Sequence, residues 1–246
     1  MKKAICLLSA ISYGLCFATF SNAQRLRIGL KPGAGMARFN YEPDTPADSL
    51  DFFEYYYGPR NSAGGSFRLT YTLAGVLEYD LAKDFFLSSG MQANWKFSKY
   101  EVQTAYGRDL NKYRFNVFSL SVPLTLHYRW GKFFMGAGGY AGWALAGKWT
   151  NDVQNDKPVF QRVTGNLKFG NDQDISNLQR FDYGLRGEIG YGLKQLRLSF
   201  TFDQGLATLK AANDKPDPQG NNSPFETGTI RNQAFYFTAT YYWLAK

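Results

Sequence analysis

The chain has 246 residues, a formal charge of +8, a mean hydropathy of −0.37 and an aromatic content of 17%. Two cysteines, Cys6 and Cys16, and a single histidine, His127, exclude a disulfide framework and a Cys/His metal cluster in the body of the chain. No run of about eighteen apolar residues follows the first 23, which excludes helical membrane spans. A basic balance on an exported chain does not point to nucleic acid.

The chain opens as a secretory signal. Lys2 and Lys3 precede a mostly apolar stretch, 4–20, and Ser21-Asn22-Ala23 is a small-residue cleavage site that leaves Gln24 first. The expected organisation is a signal peptide, 1–23, holding both cysteines, and one β-barrel domain, 24–246.

From there the chain alternates apolar and polar residues in segments of about ten or more, the length a tilted strand needs to cross a bilayer. The first strand is predicted over 26–39 and is glycine-rich. The stretch 40–66 reads as a long loop carrying Phe52, Phe53, Tyr55, Tyr56 and Tyr57 beside Asp51 and Glu54. Exposed aromatics with acids suit a partner protein, and equally suit an aromatic girdle at the membrane rim. The next strand, 67–79, sets Leu69, Tyr71, Leu73 and Leu77 against Arg68, Thr70, Thr72 and Glu78. Residues 82–84 form a short link to a strand at 85–100, and 101–113 is a long loop.

The strand predicted at 118–130 puts Leu120, Val122, Leu124 and Leu126 on one face and Ser121, Thr125, His127 and Arg129 on the other. Gly131-Lys132 is a tight link to a glycine-rich strand, 133–149. The long loop 150–179 contains Pro158-Val-Phe-Gln-Arg-Val and Asn166-Leu-Lys-Phe, which suggest an extra hairpin. Strands at 181–191 and 196–203 are joined by Lys194-Gln195. The loop 210–230 leads to the clearest strand, 235–243, whose odd positions are apolar or aromatic and whose even positions are Tyr, Thr, Thr and Tyr. Successive side chains of a strand point to opposite faces, so Leu198, Phe200 and Phe237 are predicted to face lipid, and Ser199, Thr201 and Thr238 a lumen.

Long and short connections alternate strictly, as in transmembrane barrels with short periplasmic turns and longer outer loops. The predicted fold is all-β: an eight-stranded antiparallel transmembrane β-barrel, an up-and-down meander in a Gram-negative outer membrane with both termini periplasmic. Closure follows because an open edge in hydrocarbon would leave N–H and C=O groups unpaired. Eight strands leave an interior just wide enough for side chains. The inward positions Arg27, Lys31, Arg68, Glu78, Asp80, Lys96, Arg129, Asp182, Arg186, Glu188, Arg197 and Asp203 carry both signs, which implies a plugged lumen.

Phe118-Ser-Leu-Ser-Val-Pro-Leu-Thr-Leu-His-Tyr-Arg, with Phe134-Met-Gly-Ala-Gly-Gly-Tyr140 after the turn, resembles the central hairpin of PorT-like outer-membrane barrels. Phe181-Asp-Tyr-Gly-Leu-Arg-Gly-Glu-Ile-Gly-Tyr and Gln204-Gly205-Leu206 are similar to that family's sixth and seventh strands. The resemblance spans essentially the whole chain after the signal. It implies a barrel whose naming member serves an outer-membrane secretion and maturation machinery, and it assigns no role to particular residues. The end departs from the usual pattern, since Leu244-Ala245-Lys246 follow Trp243.

Three function classes compete: a non-enzymatic interaction or assembly component, which the residues favour; a lipid A-modifying enzyme; and a soluble lipocalin-like lipid carrier. An acyl-transfer or deacylase site needs a nucleophile with an oriented base. His127 is the one histidine, and its parity sets it inside the barrel near the periplasmic end, away from the outer leaflet. No catalytic, cofactor-binding or metal residues are therefore expected. Basic residues gather at the strand ends beside the long loops: Arg38, Arg68, Lys96, Lys99, Arg114, Lys148, Arg180, Lys210 and Arg231. Such a ring is a candidate contact for the phosphates of lipid A, hence for lipopolysaccharide, or a rim of ordinary snorkelling cations.

Overall fold

The computed structural model describes residues 26–42, 66–103, 110–154, 160–170, 178–209 and 229–245. The strands are β1 (Leu26–Glu42), β2 (Ser66–Asp80), β3 (Phe85–Gln103), β4 (Leu110–Trp130), β5 (Phe133–Gln154), β6 (Phe160–Asn166), β7 (Phe181–Gly192), β8 (Leu196–Gly205) and β9 (Thr229–Ala245). Each barrel strand pairs antiparallel with its neighbour in the order β4-β3-β2-β1-β9-β8-β7-β5, and a β4–β5 pairing closes the ring. Eight strands thus form a closed antiparallel barrel, and β6 stands outside it as a ninth, paired only with the upper part of β5.

Alternation decides which face of each strand looks inward. On β8, Arg197, Ser199, Thr201 and Asp203 are buried, while Leu198 is 48% exposed on the outer wall. On β9, Thr238 and Thr240 are buried and Phe237 is 70% exposed. These outer side chains face hydrocarbon in a bilayer, so apolar exposure of this kind stabilises the barrel there. The facing predicted for Leu198, Phe200, Phe237, Ser199, Thr201 and Thr238 therefore holds.

Short links at 81–84, 131–132 and 193–195 gather at one end, the turn end, with Leu26 and Ala245. In the two-residue link Gly131-Lys132, Gly131 has φ +61°. Nothing lies near where its side chain would sit, so the backbone conformation of a tight hairpin is what requires glycine there.

The opposite end differs from the sequence reading. β3 runs to Gln103 and β4 starts at Leu110, so most of the loop placed at 101–113 is strand. β5 pairs with β7 as far as Trp143, then shifts register where Phe118 faces Ala146 and Ser119 faces Ala144, and pairs with β6 from Lys148 onward. The inserted residue is Leu145. Such a bulge bends a strand, and here it accompanies the change of partner from wall to hairpin. A hairpin does rise from 150–179, but it pairs the end of β5 with β6, and Asn166-Leu-Lys-Phe is not its second strand. Residues 1–23 lie outside the described residues, as do Phe52, Phe53, Tyr55, Tyr56, Tyr57 and Lys210.

Candidate functional site: lumen and loop-end rim

The lumen is filled in layers. Nearest the turn end, Asp80 accepts from Arg27 and Arg129, both at 2.9 Å. One layer in, Arg197 Nη1 lies 2.5 and 2.6 Å from the Glu78 carboxylate oxygens, Tyr242 donates to the same carboxylate, and the guanidinium sits 4.5 Å from the Phe86 ring centre. His127 stacks flat on Phe86 at 4.5 Å and meets Phe134 edge-on. Gly136 makes room for that ring, since a methyl there would come within 2.3 Å of it.

Glu188 follows, bonded to Lys31 at 2.6 Å and 3.6 Å from His127 Nε2. At mid-height Arg186 forks onto both oxygens of Asp203 at 2.6 and 2.7 Å and donates to Gln92, which continues through Asn94 to Ser121. Towards the loop end Asp182 receives bonds from Tyr140 and Asn232, with Lys96 at 3.8 Å. A cavity of 30 Å³, about one water, separates this layer from an apolar cap. Phe39, Val117, Leu167, Leu178, Leu209 and Ile230 make that cap.

Eleven of the twelve predicted inward charges line these layers. Arg68, across from the buried Ala37, keeps the inward parity but lies beyond the layers at the open end, where it is exposed. Sequence reasoning missed Asn232, Tyr140 and the cap residues Leu167, Leu178 and Leu209. The strand parity extended back from Phe235 would have placed Asn232 inward; the cap residues belong to no alternating run.

His127 is 2% exposed, and among the described residues neither ring nitrogen has a hydrogen-bond partner. No hydroxyl bonds to it, so the geometry of a nucleophile with its base does not form there. Among the described residues no group of three His, Cys, Asp or Glu side chains is placed to hold a metal ion.

Of the predicted cationic ring, Lys96 is the correction. Its side chain is 8% exposed and reaches inward to Asp182, because even-numbered positions of β3 face the lumen. Arg38, Lys99, Arg114, Lys148, Arg180 and Arg231 lie towards the loop end from outer-wall aromatics that include Trp95, Phe118, Trp143 and Phe181. Arg38 lies over Phe67 at 4.5 Å and donates to Gln233 at 2.7 Å. Arg180 lies 6.0 Å over Trp143 and donates to the Phe169 carbonyl. Lys99 and Arg114 face each other across β3 and β4, Lys148 is exposed on β5 and Arg231 lies across from Asn40. Arg114 also pairs with Asp152 at 2.8 Å, and Asp152 accepts from Arg162 of β6 at 2.7 Å, which holds the Arg162 guanidinium above its ordinary pKa.

The outer membrane protein beta-barrel domain model matches residues 18–210. No curated protein sequence matches the chain. Similar solved structures include Ail, the attachment invasion locus protein of Yersinia pestis (9% identity, TM-score 0.32, 90% of this chain and 100% of that one). OprG from Pseudomonas aeruginosa has 13% identity and a TM-score of 0.35 over 89% of this chain and 92% of its own. The outer membrane protease OmpT from Escherichia coli has 11% identity and a TM-score of 0.28 over 92% and 99%.

Proposed function

The chain belongs to the outer membrane protein beta-barrel domain family, and we propose that it serves as a non-enzymatic interaction or assembly component of PorT type, with a lumen closed to ions. In this reading the turn end and both termini lie in the periplasm and the long loops face outward. The observation that carries it is the lumen itself. Arg27, Lys31, Lys96, Arg129, Arg186 and Arg197 are met by Glu78, Asp80, Asp182, Glu188 and Asp203 in successive layers, and an apolar cap lies above them. Opposite charges met in buried layers support a lumen filled by side chains rather than by a water path.

Contact with the surroundings then falls to the exterior. The loop aromatics Phe52, Phe53, Tyr55, Tyr56 and Tyr57 supply a protein-binding surface, and the cations of the loop-end rim contact lipopolysaccharide. No cofactor and no nucleic acid enter this reading.

Two measurements test it. Purified protein in planar bilayers is expected to show no steady conductance; stable channels of porin type would overturn the closed lumen. Protein isolated from outer membranes in mild detergent is expected to carry a protein partner that is lost when the five loop aromatics are replaced by Ala. Isolation of the unaltered chain alone, under conditions that keep other outer-membrane complexes intact, would overturn the interaction role.

A further inference from the structure

The outer wall is not uniformly smooth. A hollow of 1110 Å³ opens on it near the turn end, lined by Trp130, Phe133, Ile189, Tyr191, Leu198 and Phe237 among others. Ligand pockets usually run to about 300–1,000 Å³, so this one is large enough for the chains of a lipid. Its lining comes from consecutive strands of the barrel, β4, β5, β7, β8, β9 and β1, and includes Gly190 and the small side chain of Ala239.

Two turns border the hollow. Gly131-Lys132 connects its residues Trp130 and Phe133. Residues 193–195 connect β7 to β8, which carry Tyr191 and Leu198. The turns are held side by side, since Gly192 N–H donates to the Lys132 carbonyl at 2.7 Å. Each presents one exposed lysine, Lys132 and Lys194, and neither forms an ion pair with any described residue. The apolar hollow thus adjoins two turns whose lysines are unpaired among the described residues, and its lining includes Tyr128, Trp130 and Tyr191, amphipathic rings of the kind that prefer headgroup depth.

We propose that this is a binding site for one anionic phospholipid of the periplasmic leaflet, its acyl chains in the hollow and its phosphate between Lys132 and Lys194. A lipid elsewhere on the wall gains either apolar contact or a cation, whereas one seated here gains both. The choice of leaflet rests on the orientation proposed above; the site itself does not.

The test uses the protein isolated from outer membranes, titrated with dioleoyl phosphatidylglycerol and followed by native mass spectrometry. One phosphatidylglycerol is expected to remain bound at an activation energy that strips dioleoyl phosphatidylcholine. Lys132→Gln together with Lys194→Gln should lower the occupancy at least about tenfold, as expected for two cations at an anionic surface. Ala239→Trp, which fills the hollow and leaves both lysines, should lower it as well. Equal retention of the two lipids, unmoved by either variant, means ordinary annular lipid and overturns the proposal. Stronger, hollow-dependent retention of lipid A overturns the phospholipid assignment. Orientation is read separately with Lys83→Cys and a membrane-impermeant maleimide on intact cells. Labelling there overturns the periplasmic placement of the turns and leaves the mass-spectrometric result to decide the site.

Discussion

At the scale of single residues, this barrel depends on charges that cannot be removed one at a time. Glu78 is 4% exposed and is met by Arg197, by Tyr242 and by Arg27 at 3.8 Å. Replacing Arg197 by Met leaves the carboxylate buried without its principal partner, and is expected to cost about 3–5 kcal/mol in urea unfolding from lipid vesicles. Adding Glu78→Leu should recover much of that loss, because the uncompensated charge goes with it. The same reasoning in steric form applies to Gly136. A methyl there meets a His127 ring already pinned between Phe86 and Phe134, so Gly136→Ala should cost about 1–3 kcal/mol. Gly136→Ala with His127→Ala should cost less than the sum of the two alone, since the clash needs both groups. Additive losses would place the strain elsewhere. Neither dependence was readable from the sequence, which gave the inward parity of Glu78, Arg197 and His127 but not which residue of another strand would stand beside each.

At the scale of elements, period-2 alternation gave the barrel its facing, since one buried charge row fixes every other side chain on its strand. With Cys6 and Cys16 replaced by Ser, a probe on Leu198→Cys should be quenched by lipid-phase quenchers and one on Ser199→Cys should not; the reverse pattern would invert the wall. Alternation was silent at the loop end. Leu145 interrupts the rhythm of β5, and beyond it Gly147 and Trp149 turn inward while Lys148 turns outward. A reader following the parity set by Phe134 to Ala144 would assign these residues to the wrong faces. The cap was hidden for a related reason. Leu167, Leu178 and Leu209 lie in segments without regular pairing, held by bonds such as Gln179 N–H to the Leu209 carbonyl at 2.7 Å. Leu167→Ala is expected to destabilise the protein by about 2–5 kcal/mol, as for other buried leucines. It should leave planar-bilayer conductance at zero, because the ion-pair layers lie beneath the cap. A channel opened by that change alone would make the cap, rather than the layers, the seal.

At the scale of the whole molecule, the charges divide into two populations with different work. The inner set is matched in sign and buried. Among the side chains described at the loop end, the outer set is mainly basic, with Asp152 between Arg114 and Arg162, and it lies near an aromatic row where lipid headgroups lie if the loops face outward. Lys99 directly across from Arg114 is an arrangement that costs stability in water, where like charges on facing strands repel. Asp152 offsets part of it through Arg114, and an anion at the surface would offset more. The expected anion is the lipid A phosphate, which draws strong charge-assisted bonds from guanidinium groups. Lipopolysaccharide should therefore raise the thermal stability of the purified protein, as any ligand of the native state does. Replacing Arg114, Arg180 and Arg231 together by Gln should remove that rise. Lys96→Gln should not remove it, since Lys96 is turned into the lumen; this control separates the rim from a general loss of positive charge. A triple variant that kept the full lipopolysaccharide effect would reduce the rim to solvated cations without a lipid partner.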